Sequence, residues 1–226
     1  MTRLMRLGWW LPVLLLWPSA ADAQVVVTRF GGSGGGPGTQ LLNVAPAEYG
    51  VREWRAGQWV RYSISQNLGG QMPMVQFRTI SVVGRHGEEF WVESGDEFAG
   101  MASGQGPVRK VLVPFGPIAE RVGTDVFVML PDSAVRRETL LRSAPGARAR
   151  ALFPEGWTRA GEESLTTPAG PFRAVHWRKG AEELWTSAEA GPIGLVRYRS
   201  ADTEIELAGR GESGARSRIP FGGTER

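Results

Sequence analysis

Cysteine is absent from the 226-residue chain. That excludes disulfides, thiolate metal sites, a cysteine nucleophile and a lipid-modified N-terminal cysteine. Histidine is close to absent, with two residues, which leaves little for a multi-histidine metal centre. Lysine is scarce as well: among 26 basic residues only Lys110 and Lys179 are lysines, and the net charge is +3. The isoelectric point near 9.8 reflects arginine content and is a weak argument for nucleic acid. Also missing is an uninterrupted apolar run of about 18 residues, the length an ordinary spanning helix needs.

What is there begins with an address. Arg3 and Arg6 precede an apolar stretch from Leu7 to Trp17, and Pro18 and Ser19 lead into Ala21-Asp22-Ala23. This is the order of a secretory signal peptide, with small side chains for the peptidase, so residues 1–23 are expected to be cleaved between Ala23 and Gln24. The mature chain is then periplasmic or secreted, without a lipid anchor and without an integral span. Residues 24–53 read as a flexible segment around the glycine run Gly31-Gly32-Ser33-Gly34-Gly35-Gly36-Pro37-Gly38. That run matches G-x-S-x-G at Ser33, but a nucleophile elbow needs a strand before the serine and a helix after it, which glycine does not supply.

From residue 57 onward short segments rich in Val, Ile, Thr and aromatics alternate with Gly, Asp or Pro breaks, an all-β pattern. Strands are predicted over 58–66, 75–83, 88–93, 109–113, 126–130, 162–167, 172–178, 182–187, 194–200 and 203–208. Short connections make neighbours pair as a meander of hairpins. With Ala201-Asp202 as the last loop, Arg199 faces Glu204, Arg197 faces Glu206, Tyr198 faces Ile205 and Val196 faces Leu207. One face is charge-paired and the other apolar, and a slip of one residue would mix them, so the pattern selects the register. With Gly180-Ala181 as the preceding loop, His176 opposes Trp185, Trp177 opposes Leu184 and Arg178 opposes Glu183. The pair around Gly84-Arg85-His86-Gly87 is apolar on both faces, which requires cover on both or a cavity. One helix is expected, capped by Asp132 or Ser133 and running to Arg142 before Pro145-Gly146. Residues 209–226 read as a disordered polar tail, leaving a β domain over 54–208.

Motifs that would carry chemistry are weak. Gly209-Arg210-Gly211-Glu212-Ser213-Gly214 fits G-x-G-x-x-G, yet twelve residues remain after it, too few for a dinucleotide fold. His86 falls in a turn and His176 on a strand; a hydrolase using His176 with Ser164 or Ser187 lacks a motif that sets up the nucleophile. The acidic group Glu88, Glu89, Glu93, Asp96 and Glu97 has no calcium-loop spacing and reads as a solvated hairpin end. No catalytic residue, metal ligand or cofactor is assigned.

The element Thr166-Thr167-Pro168-Ala169-Gly170-Pro171-Phe172, then Trp185-Thr186-Ser187, then Gly191-Pro192-Ile193-Gly194-Leu195-Val196-Arg197-Tyr198, resembles bacterial exported domains of unknown function with the fold of the Lol-type lipoprotein carriers. Trp54-Arg55-Ala56-Gly57-Gln58-Trp59-Val60-Arg61-Tyr62, Val82-Val83-Gly84 and Phe90-Trp91-Val92-Glu93 are similar to the opening strands of the same group. Pro171 and Arg197 depart from its usual pattern, and every matching element is a turn-and-strand signature. The resemblance implies a mainly β fold: a strongly curved antiparallel sheet, an incomplete half-barrel, with a short helix or loop across one side. It also implies a non-enzymatic protein whose concave face shelters a lipid or lipoprotein acyl chain. The face pattern of the strands alone gives Phe90, Trp177, Val196 and Tyr198 as candidate lining of that face. The alternative is an envelope scaffold with a filled core that binds another envelope protein through sheet edges or an apolar patch at Trp185 and His176. An outer-membrane barrel fits less well, because ion pairs such as Arg197 with Glu206 would sit in its apolar band.

Overall fold

The computed structural model describes residues 49–51, 53–67, 69, 73–99, 105–114, 125–131, 134–139 and 156–220. The signal segment and Ser33 lie outside the described residues. Eleven strands follow one another: β1 (Trp59–Gln66), β2 (Met74–His86), β3 (Glu89–Phe98), β4 (Gln105–Pro114), β5 (Asp125–Met129), β6 (Val135–Thr139), β7 (Thr158–Thr167), β8 (Gly170–Lys179), β9 (Glu182–Thr186), β10 (Leu195–Arg199) and β11 (Thr203–Gly211). They form one antiparallel sheet in the order β6-β5-β4-β3-β2-β1-β11-β10-β9-β8-β7. The first and last stretches of the meander meet where β1 pairs with β11, and the sheet stays open with β6 and β7 as its edges. It is curved enough that β7 touches β11, four places away in the order.

All ten expected strands are present, and both C-terminal hairpins adopt the register their charges select. Arg197 faces Glu206, Tyr198 faces Ile205 and Arg199 faces Glu204. His176 faces Trp185, Trp177 faces Leu184 and Arg178 faces Glu183. The β2–β3 hairpin is tighter than expected. Arg85 and His86 belong to β2, the turn is Gly87-Glu88, and a bulge between Val82 and Gly84 absorbs the extra residue.

Three expectations need correcting. Of the helix expected from Asp132 or Ser133 to Arg142, residues 135–139 are instead the strand β6, in which Met129 faces Val135 and Phe127 faces Arg137; Asp132, Ser133 and residues 140–142 lie outside the described residues. Pro131 sits in a hairpin loop closed by the Leu130 amide donating to the Ala134 carbonyl at 3.0 Å. Strand pairing wins over local helix propensity here because β5 presents an open ladder to residues 135–139, a tertiary partner that local propensity does not contain. The tail expected from 209 likewise belongs to the fold at its start: β11 runs to Gly211, and Ile219 is fully buried. At the other end Tyr49 and Val51, expected in the flexible segment, are buried core residues.

Gly209 and Gly211, the first two glycines of the apparent nucleotide motif, lie under the Trp59 ring; a methyl group at Gly211 would collide with the indole nitrogen. They seat an aromatic against the sheet, so the motif has a packing reason.

Because side chains alternate across each strand, the register assigns every residue to a face. One face carries Val128, Val111, Val92, Ile80, Val82, Val60, Tyr62, Ile64, Ile205, Leu207, Tyr198 and Leu184, all buried. The opposite face carries Trp59, Arg61, Glu93, Lys110, Trp185, Arg197 and Glu206. Each fully buried aliphatic contributes about 1.5–3 kcal/mol, so the apolar face is the main source of stability. It is not wholly apolar: Arg78 and Asp96 are buried there and form a two-bonded ion pair, with Nε to Oδ1 at 2.7 Å and Nη2 to Oδ2 at 3.2 Å. Losing one partner strands the other charge in the core. Asp96→Ala is expected to cost about 3–5 kcal/mol by urea unfolding, while the joint replacement Arg78→Leu/Asp96→Leu recovers most of that loss. A double variant as unstable as the single one would contradict this.

Candidate functional site

The four residues expected to line a ligand face all lie in or against the apolar core cluster, but they do not form one group. Tyr198 on β10 and Trp177 on β8 flank Leu184 of β9 on the apolar face. The Tyr198 hydroxyl donates to Glu182 at 2.8 Å, and its ring meets Trp157 edge-on at 6.5 Å. Trp177 is half-buried, with its indole N–H donating to the Thr186 hydroxyl at 3.0 Å. Val196 sits at a bulge between Leu195 and Arg197 and is fully buried. Phe90 belongs to β3, four places from β10, and packs edge-on against Trp54 at 5.7 Å.

What covers the apolar face near Phe90 is a pair of irregular segments that the sequence did not mark as cover. The first comprises residues 49–51 together with 53 and 54. The second is the β9–β10 connection, a single 3₁₀ turn Ala188–Ala190 followed by Gly191, Pro192, Ile193 and Gly194. The Trp54 indole donates to the Pro192 carbonyl at 2.6 Å and fastens one segment to the other. Gly191 and Gly194 adopt φ of +88° and +85°, and each lets the loop come close: a methyl at Gly191 would lie 2.6 Å from Val60, and one at Gly194 2.8 Å from both Tyr49 and Val51. The Ser187 amide closes the loop on the Gly194 carbonyl at 2.9 Å, and the Tyr62 hydroxyl donates to the Leu195 carbonyl at 3.0 Å. From Ala190 to Gly194 every residue is buried, which is unusual for a connection. The pairing of two glycines around Pro192-Ile193 was the available signal, and strand patterning hid it.

The chemistry-bearing residues take other roles. His176 stacks on Trp185 with centroids 4.6 Å apart and planes 11° apart, and is itself buried. Its Nδ1 lies 3.5 Å from Glu163 and its Nε2 3.4 Å from Glu183. Ser164 alternates with Glu163 along β7 and so faces away from His176, and the Ser187 hydroxyl accepts the Glu189 amide at 3.4 Å as the cap of the 3₁₀ turn. His86 is exposed at the end of β2. The acidic group is divided between the faces, with Glu93 near Lys110, Asp96 on Arg78 and Glu97 on Arg61, so it is no solvated cluster. Among the described residues no set of three or more His, Cys, Asp or Glu could hold a metal ion. The apolar patch expected at Trp185 and His176 is also corrected, since both rings are buried by their stacking and strand partners.

No family model and no curated protein matches the chain. Solved structures do. The chain is similar to a protein described as exported, with a YmcC-like fold, from Bacteroides fragilis, at 10% identity and TM-score 0.34 over 70% of this chain and 96% of that one. It is similar to an outer-membrane lipoprotein-sorting domain from Vibrio parahaemolyticus, at 10% identity and TM-score 0.31 over 81% and 94% of the two chains. A LolA-superfamily protein from Nitrosomonas europaea matches at 14% identity and TM-score 0.32 over 78% and 95%. These neighbours come from the group that the sequence resembles. No helix among the described residues is long and apolar enough to cross a membrane.

Burial pushes the Tyr62 phenol well above its ordinary value of 10.0 and, together with the hydrogen bond to Glu182, pushes Tyr198 up to about 12. The folded state therefore favours both phenols protonated. That stabilisation is complete below the ordinary tyrosine range and is lost as pH rises from about 10 through the folded values. Alkaline titration followed by phenolate absorbance is expected to show both groups ionising together with unfolding, and Tyr198→Phe is expected to flatten the loss of stability with pH. Ionisation of both near pH 10 in a folded chain would contradict this.

Proposed function

We propose that this is an exported, non-catalytic β-protein that holds an apolar ligand, a lipid or lipoprotein acyl chain, against the apolar face of its sheet and beneath the segments joined by Trp54 and Pro192. One observation carries the reading. A largely apolar face drawn from one open sheet is covered around Val60 and Phe90 by two irregular segments, fastened by an indole hydrogen bond and shaped by two positive-φ glycines. A core built only for stability is normally closed by a second packed layer of helix or sheet. Irregular cover with few ladder bonds opens at lower free energy than strands do, which gives a ligand a way in without unfolding the sheet. Trp177 and Tyr198 supply an aromatic flank with polar tips, the usual make-up of a site that takes an apolar body and fixes its orientation.

The test is native mass spectrometry of the exported chain purified without detergent. The expected result is an adduct of discrete mass that organic extraction removes and that proves to be an acyl lipid. The stripped chain is then expected to take up a fluorescent fatty acid saturably, and Trp54→Ala to release it faster by about tenfold, the factor for losing roughly 1.4 kcal/mol of fastening. A bare mass together with no saturable uptake by the stripped, folded chain would overturn the proposal.

A further inference from the structure

The face of β3 and β4 opposite the proposed ligand carries a charged pair that the ligand reading leaves unused. Glu93 and Lys110 face each other across the ladder, and both side chains are nearly inaccessible, at 4% and 2%. Their charged atoms are 3.9 Å apart, too far for a direct hydrogen bond. The C-terminal segment fills the gap. The Ser217 hydroxyl accepts from the Lys110 ammonium at 2.8 Å and donates to the Glu93 carboxylate. Glu93 also accepts the backbone amides of Arg218 at 2.8 Å and Ile219 at 3.2 Å, and Lys110 donates to the Ile219 carbonyl at 3.0 Å. One carboxylate and one ammonium thus engage three main-chain groups and one hydroxyl of an extended peptide.

The segment reaches this place by crossing the sheet. After β11, Glu212 accepts from Gln58 Nε2 at 2.9 Å, and the Ala215 amide donates to the Gly57 carbonyl at 2.9 Å. The chain then passes from the β11 and β1 side to β3 and β4. Of residues 215–220 only Ile219 is buried; Ser217, Arg218 and Pro220 are exposed. On the same face as the charged pair lie Trp91 and Leu112, both buried, with the Trp91 ring 5.5 Å from the Lys110 ammonium. A charged pair in such surroundings is costly unless its remaining hydrogen-bonding capacity is filled. Burial pushes the Lys110 ammonium below its ordinary value while Glu93 opposes the shift.

We propose that Glu93 and Lys110 form a peptide-binding site, and that the chain's own segment 215–220 is its ligand in cis, a detachable strap. The ligand class follows from the contacts: an extended peptide with a hydroxyl side chain two residues before an aliphatic anchor, recognised chiefly through its backbone. The strap is joined to the sheet through one backbone bond at Ala215, the Glu93 and Lys110 bonds to its backbone and to the Ser217 hydroxyl, and a single buried anchor, so it opens as a unit while the ladder of β1 and β11 stays closed.

Two measurements on the full chain test this. In hydrogen exchange, the Arg218 and Ile219 amides are expected to be protected and to exchange through an opening that leaves β1 and β11 closed, and Glu93→Gln is expected to speed those two amides about tenfold or more. In the second, Ile219→Asp frees the strap, and a fluorescent synthetic peptide of residues 212–226 is expected to bind that variant saturably. It is expected not to bind the variant that also carries Glu93→Gln, and a peptide carrying Ile219→Asp is expected not to bind at all. Exchange of the strap amides only together with β1 and β11, failure of Ile219→Asp to fold, or a folded Ile219→Asp chain that takes no peptide would each overturn the proposal.

Discussion

The structure depends on one geometric constraint: successive side chains of a strand point to opposite faces, and the eleven strands described carry that alternation across one open sheet, re-phased at five bulges. Whatever lies on the apolar face must be covered, and among the described residues the sheet has no helical layer to cover it. Around Val60 and Phe90 the irregular segments at Trp54 and Pro192 do that work. Curvature acts on the other face, where β7 comes onto β11 and Arg197 reaches the Thr166 carbonyl.

Buried polar groups decide how uniquely the sheet is put together. Arg78 and Asp96 sit on the apolar face, and Glu93 and Lys110 on the other, both pairs lying between neighbouring strands of the same sheet. Such pairs rarely add much net stability over an apolar pair of the same shape, but a shifted register would leave them unpaired. The surface pairs Arg197 with Glu206 and Arg199 with Glu204 act in the same sense more weakly, at about 0.2–1 kcal/mol each. Register is therefore specified from both faces.

Much of this was legible in the residues. Alternation and turn chemistry located ten strands, and charge complementarity picked the register of both C-terminal hairpins, because those signals are local. What escaped depends on partners far along the chain. Residues 135–139 become a strand because β5 offers an open ladder, and Ile219 is buried because Glu93 and Lys110, more than one hundred residues earlier, hold its backbone. The site was legible only in part. Tyr198 and Trp177 were found from face pattern, whereas Trp54 and Pro192 were missed because a buried irregular segment has no periodicity to betray it.

The six tryptophans from residue 54 onward divide by face, and that division offers the most direct test. Trp54, Trp157 and Trp177 lie with the apolar face and its cover, while Trp59, Trp91 and Trp185 lie on the other. With a spin-labelled fatty acid bound to the stripped chain, indole N–H resonances of the first three are predicted to broaden while those of the second three keep their intensity. Broadening centred on Trp59, Trp91 and Trp185, or equal for all six, would contradict a ligand held on the apolar face.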